Sequence, residues 1–170
     1  WINSYVVSGN VKDAKLNLVG YDNLDSINFN FKTIDKVINI SNLNFIYQDI
    51  RISSKNLEII KEKSGRHYIK GDFENSKALI NPNLIFKLAN IKQDYLSNKD
   101  ILFQSKNIFS FKINKKNKIE NVKIDTVINF DEIYLNKKYK NIIFLKDGVI
   151  NSKYANKELS ADIVSNFAFS

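Results

Sequence analysis

The chain has 170 residues with 44% hydrophobic and 12% aromatic content, which excludes a wholly disordered protein and suffices for one domain with a sizeable core. The absence of cysteine excludes disulfides and cysteine-based metal sites, and no apolar run approaches the ~18 residues of a membrane-spanning helix. The formal net charge of +8 comes almost entirely from lysine, because Arg51 and Arg66 are the only arginines. We interpret this lysine excess first as the coding bias of an AT-rich genome and second as a sign of an anionic partner.

Apolar and polar residues alternate with period two along most of the chain, which predicts β-strands with one apolar side. Helical periodicity is weak, although 91–99 fits a helical turn or an irregular linker, and Pro82 is expected to mark the start of a strand. In chain order, the alternating segments are 14–18, 27–31, 43–47, 50–52, 57–59, 67–73, 84–88, 109–113, 122–124, 128–130, 133–135, 142–144 and 159–163, followed by Phe167 and Phe169.

Polar clusters rich in Asn, Asp, Ser and Lys separate these segments and predict turns. They lie at 21–26, 61–66, 114–118, 136–141 and 146–148. Asn and Asp tolerate the left-handed backbone conformation of tight turns, so a chain with few glycines can still turn often.

These patterns predict an all-β fold, a meandering antiparallel sheet of about a dozen short strands with one apolar face and one wet face. Crossover helices, which a parallel sheet needs, are missing. We see no domain boundary and predict one domain over residues 1–170. The apolar face must be covered, by a second sheet, by closure into a barrel, or by an apolar ligand in a groove, and composition does not choose among these.

The sequence offers little catalytic chemistry. His67 is the only histidine, with no second His or Cys to complete a metal or catalytic site. Asp131 and Glu132 are adjacent, and neighbouring strand residues point to opposite faces, so we expect their carboxylates not to converge. No glycine-rich phosphate loop or nucleophile motif is present. We therefore predict no catalytic residue, no metal and no cofactor, and a protein that is not an enzyme.

Two lysine-rich stretches, at 111–124 and 135–140, allow two interpretations. They could contact phosphates or lipid headgroups, or their lysines could keep exposed strands from pairing with other chains, which is the interpretation we favour. Nucleic acid is disfavoured as a partner because the chain has few arginines and its aromatic residues alternate onto the apolar side.

The beginning of the chain fits the pattern W…SG-x-V-x-DA-x-L-x-L-x-G. The matching residues are Trp1, Gly9, Val11, Asp13, Ala14, Leu16, Leu18 and Gly20. With the downstream stretches "INFNFK", "ISNLNFIYQDIRISSKNLEI" and "IKGDF", this pattern resembles the AsmA-like family of bacterial envelope proteins, including the DUF3971-type and TamB-related members. The resemblance covers 1–90 and is architectural beyond that range.

The resemblance implies a fragment of a longer chain whose sheet curls into an open, taco-like groove. It further implies a periplasmic protein anchored to the inner membrane of a Gram-negative bacterium, which carries phospholipid between the inner and outer membranes for outer-membrane biogenesis. Its implied partners are phospholipid and the two membranes, the membranes being reached through parts outside this fragment.

Combining this implication with the alternation predicts the groove lining. The expected residues are Leu16, Leu18, Ile27, Phe29, Phe31, Leu43, Phe45, Ile52, Leu57, Ile59, Ile69, Phe73, Leu84, Phe86, Leu88, Phe109, Phe111, Phe130 and Phe144. The alternative is a β-sandwich or β-solenoid module of a surface or adhesin protein, which would act through protein–protein contacts.

Overall fold

The computed structural model describes residues 5–17, 22–84, 96–135 and 143–169. Within these ranges the chain forms one antiparallel sheet whose strands follow each other in sequence order from edge to edge. The strands are β1 Val6–Leu16, β2 Leu24–Ile34, β3 Val37–Tyr47, β4 Ile50–Lys61, β5 His67–Ile80, β6 Ile101–Ile113, β7 Ile119–Tyr134, β8 Ile143–Ala155 and β9 Glu158–Phe169. The first and last strands do not pair, so the sheet is not closed into a barrel. The predicted all-β meander is confirmed.

The described residues form nine long strands where the sequence predicts about a dozen short ones. The predicted segments 50–52 and 57–59 both belong to β4, whose pairing with β5 is irregular between Ser53 and Leu57. Likewise, β7 joins three predicted segments, and Asn121 near its start has a φ of 54°. A bulge shifts the alternation without ending the strand, so the apolar pattern splits one strand into several.

The tight turns place Asn or Asp in the left-handed backbone conformation, in two of them together with Gln48 or Lys157. Both residues of the Gln48–Asp49 turn and of the Asn156–Lys157 turn have positive φ, as a two-residue type I′ hairpin requires. Asp35 and Asn117 also take positive φ in their turns. The prediction that Asn and Asp adopt the left-handed conformation of turns in place of glycine is confirmed. The polar cluster at 146–148, predicted as a turn, instead lies within β8, where Asp147 has a φ of 49°.

The prediction that a strand starts at Pro82 is wrong for residues 82–84, the part that the structure describes. Residues 82–84 form a helical turn. Asn81 caps it, because its Oδ1 accepts a hydrogen bond of 3.0 Å from the Asn83 amide. Proline after an Asn cap favours a helix start, since its ring fixes a helical φ and its missing N–H is not needed there. Of the predicted linker 91–99, the described part is irregular, with one bridge between Leu96 and Leu135.

Strand register separates the side chains into two faces. Ile69 pairs with Phe111 on one face, and the next pair, Lys70 with Ser110, lies on the other. We call these the apolar face and the polar face. A small buried cluster lies at one end of the apolar face. It consists of Ile101, Phe130 and Ile133, with Ile80, Leu96, Phe103, Leu145 and Ile150 packed against it.

The rest of the apolar face is only partly covered. The chain exposes 12322 Å², whereas a compact protein of 19.7 kDa exposes about 8,600 Å². In the described part of the chain, the helical turn at 82–84 and Leu96 lie at one end of this face, and no second sheet packs over it. The described residues therefore form a single layer with an open apolar surface.

Candidate functional site

The candidate site is the apolar face itself. Register and alternation place most of the predicted lining residues together on it. These are Leu16, Ile27, Phe29, Phe31, Leu43, Phe45, Ile52, Leu57, Ile59, Ile69, Phe73, Phe109, Phe111 and Phe130. Leu18, Phe86 and Leu88 lie outside the described residues.

Phenylalanine rings form a continuous track across the middle of the apolar face. Phe73 on β5 contacts Phe45 on β3 edge to face, with 5.9 Å between ring centroids. On its other side Phe73 stacks on Phe109 of β6 at 5.0 Å, and Phe109 stacks on Phe111 at 6.0 Å. Such pairs contribute about 0.5–1.5 kcal/mol each beyond the area they bury, so the track orders the face from β3 to β6.

A hollow of about 280 Å³ adjoins this track. Its walls come from β3, β4, β5 and β6, and Leu84 closes one side from the helical turn. The walls are mainly apolar, with Ile50, Ile52 and Phe103 beside a small group of polar side chains. An apolar concavity with a few convergent polar groups is the usual form of a small-molecule or lipid site.

A polar belt crosses the apolar face next to the hollow. Asn75, only 5% exposed, accepts hydrogen bonds from the Ser105 amide at 3.0 Å and the Ser105 hydroxyl at 2.6 Å. Asn107 donates to Ser105 Oγ at 3.1 Å and accepts from Thr126 at 2.9 Å. Ser54 is 3% exposed, and its Oγ has no hydrogen-bond partner.

Sequence reasoning missed this belt, which comprises Ser54, Asn75, Ser105, Asn107 and Thr126. The sequence did contain a signal for them, because each is a polar residue at a strand position that the alternation assigns to the apolar face.

Phe144 is the predicted lining residue that lies on the wrong face. It pairs with Tyr134 across β7 and β8, and their rings stack at 5.0 Å. Its neighbour Leu145 packs against the buried cluster, so Phe144 points to the polar face. There, Tyr134 donates a hydrogen bond of 2.6 Å to Glu132, and Lys99 Nζ lies 3.6 Å from the Tyr134 ring centroid. Hydrogen bonding to Tyr134 raises the pKa of Lys99.

The expected opposition of Asp131 and Glu132 is also wrong. Phe130 and Ile133 are three residues apart yet share the buried cluster, so the alternation skips a residue between them. The two carboxylates therefore line one hollow of about 330 Å³ on the polar face. Asp131 forms an ion pair of 2.9 Å with Lys77, whereas Glu132 accepts the hydrogen bond from Tyr134, two residues further along the same strand.

Metal-ligating side chains do not gather within the described ranges. His67 is the first residue of β5, half-buried and paired with Ile113. In those ranges no group of three or more His, Cys, Asp or Glu residues is arranged to hold a metal ion. The described helical structure is also too short to cross a membrane.

No protein-family model, curated protein or solved structure matches this chain. The resemblance of residues 1–90 to AsmA-like proteins therefore stays a prediction. The geometry of the open apolar face carries the functional argument.

Proposed function

We propose that the apolar face binds the acyl chains of phospholipid. The observation that carries this proposal is a largely apolar face, crossed by one polar belt, that extends over a nine-stranded open sheet and is covered by no second sheet among the described residues. A surface of this kind needs a partner, because exposed apolar patches beyond a few hundred Å² mark interaction sites on soluble proteins.

Acyl chains suit this surface in shape and chemistry. Each CH₂ group that leaves water for the apolar face contributes about 0.8 kcal/mol. The phenylalanine track and the hollow beside it provide rings and aliphatic side chains along a line that crosses four strands. Headgroups would remain at the wet edge of the sheet, and binding would need no catalytic residue.

In the wider proposal, this chain is a segment of an AsmA-like envelope protein that passes phospholipid between the inner and outer membranes across the periplasm. The single-layer sheet and the pattern of residues 1–20 support it. The adhesin-type alternative expects a sandwich or a solenoid. An open meander of antiparallel strands favours the groove over either.

The test is lipid capture. Protein purified from a bacterial host is expected to carry phospholipid in native mass spectrometry and, once delipidated, to take up a fluorescent phospholipid from solution. Phe73→Asp places a charge in the middle of the track and should abolish uptake, while Asp72→Asn, its neighbour on the polar face, should not. Wild-type protein that neither carries nor takes up lipid would contradict the proposal.

A further inference from the structure

Positively charged side chains are concentrated along one end of the sheet. In a meander, the turns after β2, β4, β6 and β8 all fall at the same end. We call this end the basic rim and define it as residues 35–36, 61–66, 112–120 and 156–158. It contains nine basic and four acidic side chains. The basic residues are Lys36, Lys61, Lys63, Arg66, Lys112, Lys115, Lys116, Lys118 and Lys157.

Three of the four rim turns contact one another, so their charges form one surface. The Lys61 amide donates a hydrogen bond of 2.8 Å to the carbonyl of Lys36, joining the first two turns. The Lys115 side chain crosses Gly65, where an added Cβ would lie 2.9 Å from Lys115 Cε. Lys112 Nζ forms an ion pair of 2.6 Å with Glu62 across the same two turns.

Most of this charge is unneutralised. Within the described residues, the ion pairs involve one rim lysine, Lys112, and the remaining rim cations are exposed and form none. On the polar face, by contrast, lysines alternate with acids, as in the pair between Lys70 and Glu58 at 3.0 Å. Among the described residues, the excess of positive charge is therefore concentrated at the rim.

Apolar side chains stand directly beside these cations. Ile119 is 62% exposed and follows Lys118, and Leu159 is 70% exposed close to Lys157. Both belong to the apolar face, so the open surface runs up to the basic rim. A lipid–water interface satisfies both features, since its anionic phosphates attract lysine and its acyl region accepts exposed aliphatic groups.

We propose that the basic rim docks the sheet onto an anionic phospholipid bilayer, which places the end of the apolar face at the membrane surface. This inference deepens the lipid-binding proposal and rests on it for the class of ligand. The scarcity of arginine favours headgroups over nucleic-acid bases, because base edges are read best by the arginine fork.

The test compares vesicles of phosphatidylcholine alone with vesicles that also contain phosphatidylglycerol, in a co-sedimentation assay at low salt. Wild-type protein should bind the anionic vesicles and release them as salt increases. The triple variant K115Q/K116Q/K118Q should bind on the order of 100-fold more weakly, at about fivefold per lysine. The matched control, K32Q/K106Q/K153Q, removes three exposed lysines from the polar face and should bind like wild type.

Equal binding to neutral and anionic vesicles, or an equal loss in the control, would overturn the inference. Tighter binding of duplex DNA than of anionic vesicles at the same salt would overturn it in favour of a nucleic-acid surface. Uptake of fluorescent phospholipid from solution separates the two proposals, because the rim variant should keep it. Lipid uptake without a preference for anionic vesicles would contradict membrane docking by the rim but not acyl-chain binding. Vesicle binding that depends on the rim lysines, without lipid uptake, would support docking by the rim and contradict acyl-chain binding.

Discussion

The rings of Phe45 and Phe73 meet edge to face at 5.9 Å although β4 separates their strands. Two strand spacings amount to about 9.6 Å, so the side chains converge over β4 on the apolar face. Contacts of this kind join strands that share no hydrogen bonds, and they hold an open sheet in one curvature.

The Phe45–Phe73 contact should therefore appear as a coupling energy. In a double-mutant cycle of Phe45→Ala and Phe73→Ala, we expect the two changes to be coupled by about 0.5–1.5 kcal/mol in the free energy of unfolding. Urea denaturation of the four proteins measures it. Phe29→Ala combined with Phe73→Ala is the control, and additivity in both pairs would contradict convergence over β4.

Alanine should destabilise the fold at Asn75 but not at Ser54. Asn75→Ala leaves the Ser105 amide and hydroxyl without their acceptor and should destabilise the fold by about 1–3 kcal/mol. Ser54→Ala removes a buried hydroxyl that has no partner, so it should be neutral or stabilise by about 1 kcal/mol. The urea midpoints of the two variants measure these changes. Asn129→Ala, on the exposed polar face, is the control and should change the midpoint little. A destabilised Ser54→Ala protein would show that its hydroxyl does have a partner.

Period-two alternation was sufficient to predict the two faces and the class of fold, because each strand must bury one side. It was insufficient at Ser53–Leu57 and at Phe130–Ile133, where irregular backbone shifts the phase. The basic rim was not predictable from the lysine stretches, since assembling it requires the register that brings Lys36 and Lys115 to one end of the sheet. The lysines at 137, 138 and 140 lie outside the described residues.

Glycines on the apolar face lie opposite phenylalanines. Gly148 pairs with Phe130, Gly71 with Phe109 and Gly9 with Phe31. At Gly148 an added Cβ would overlap Cζ of Phe130, whose side chain is buried at 3% exposure. The ring fills the space that a side chain would need, which is how aromatic residues compensate for glycine in sheets.

Gly148→Ala should therefore destabilise the sheet by about 1–3 kcal/mol, because the buried ring cannot move without repacking the cluster. Gly9→Ala, with a Cβ 2.8 Å from Phe31 Cε1 near the open edge, should cost less, since that ring can turn toward solvent. Thermal unfolding of the two variants shows which one loses more stability. Equal losses would show that the Phe130 ring is no more constrained than that of Phe31.

The ion pair between Glu62 and Lys112 should make stability depend on pH. The hydrogen bond from Lys112 lowers the pKa of the Glu62 carboxyl in the folded state, with partial burial acting in the opposite direction. A carboxyl whose folded pKa is below its unfolded value stabilises the fold above the unfolded pKa, and this stabilisation disappears as pH falls through the folded pKa. The stability difference between wild type and Glu62→Gln should therefore shrink on acidification.

Carboxyl titration followed by NMR tests the cause directly. Lys112→Gln should raise the pKa of Glu62, whereas Lys70→Gln removes a lysine from the polar face and should leave it unchanged. Added salt should reduce the effect, because about a quarter to a third of each side chain remains exposed, 28% for Lys112 and 29% for Glu62. A Glu62 carboxyl that titrates normally in wild type, or that ignores Lys112→Gln, would show that the two turns are not joined by this ion pair in solution.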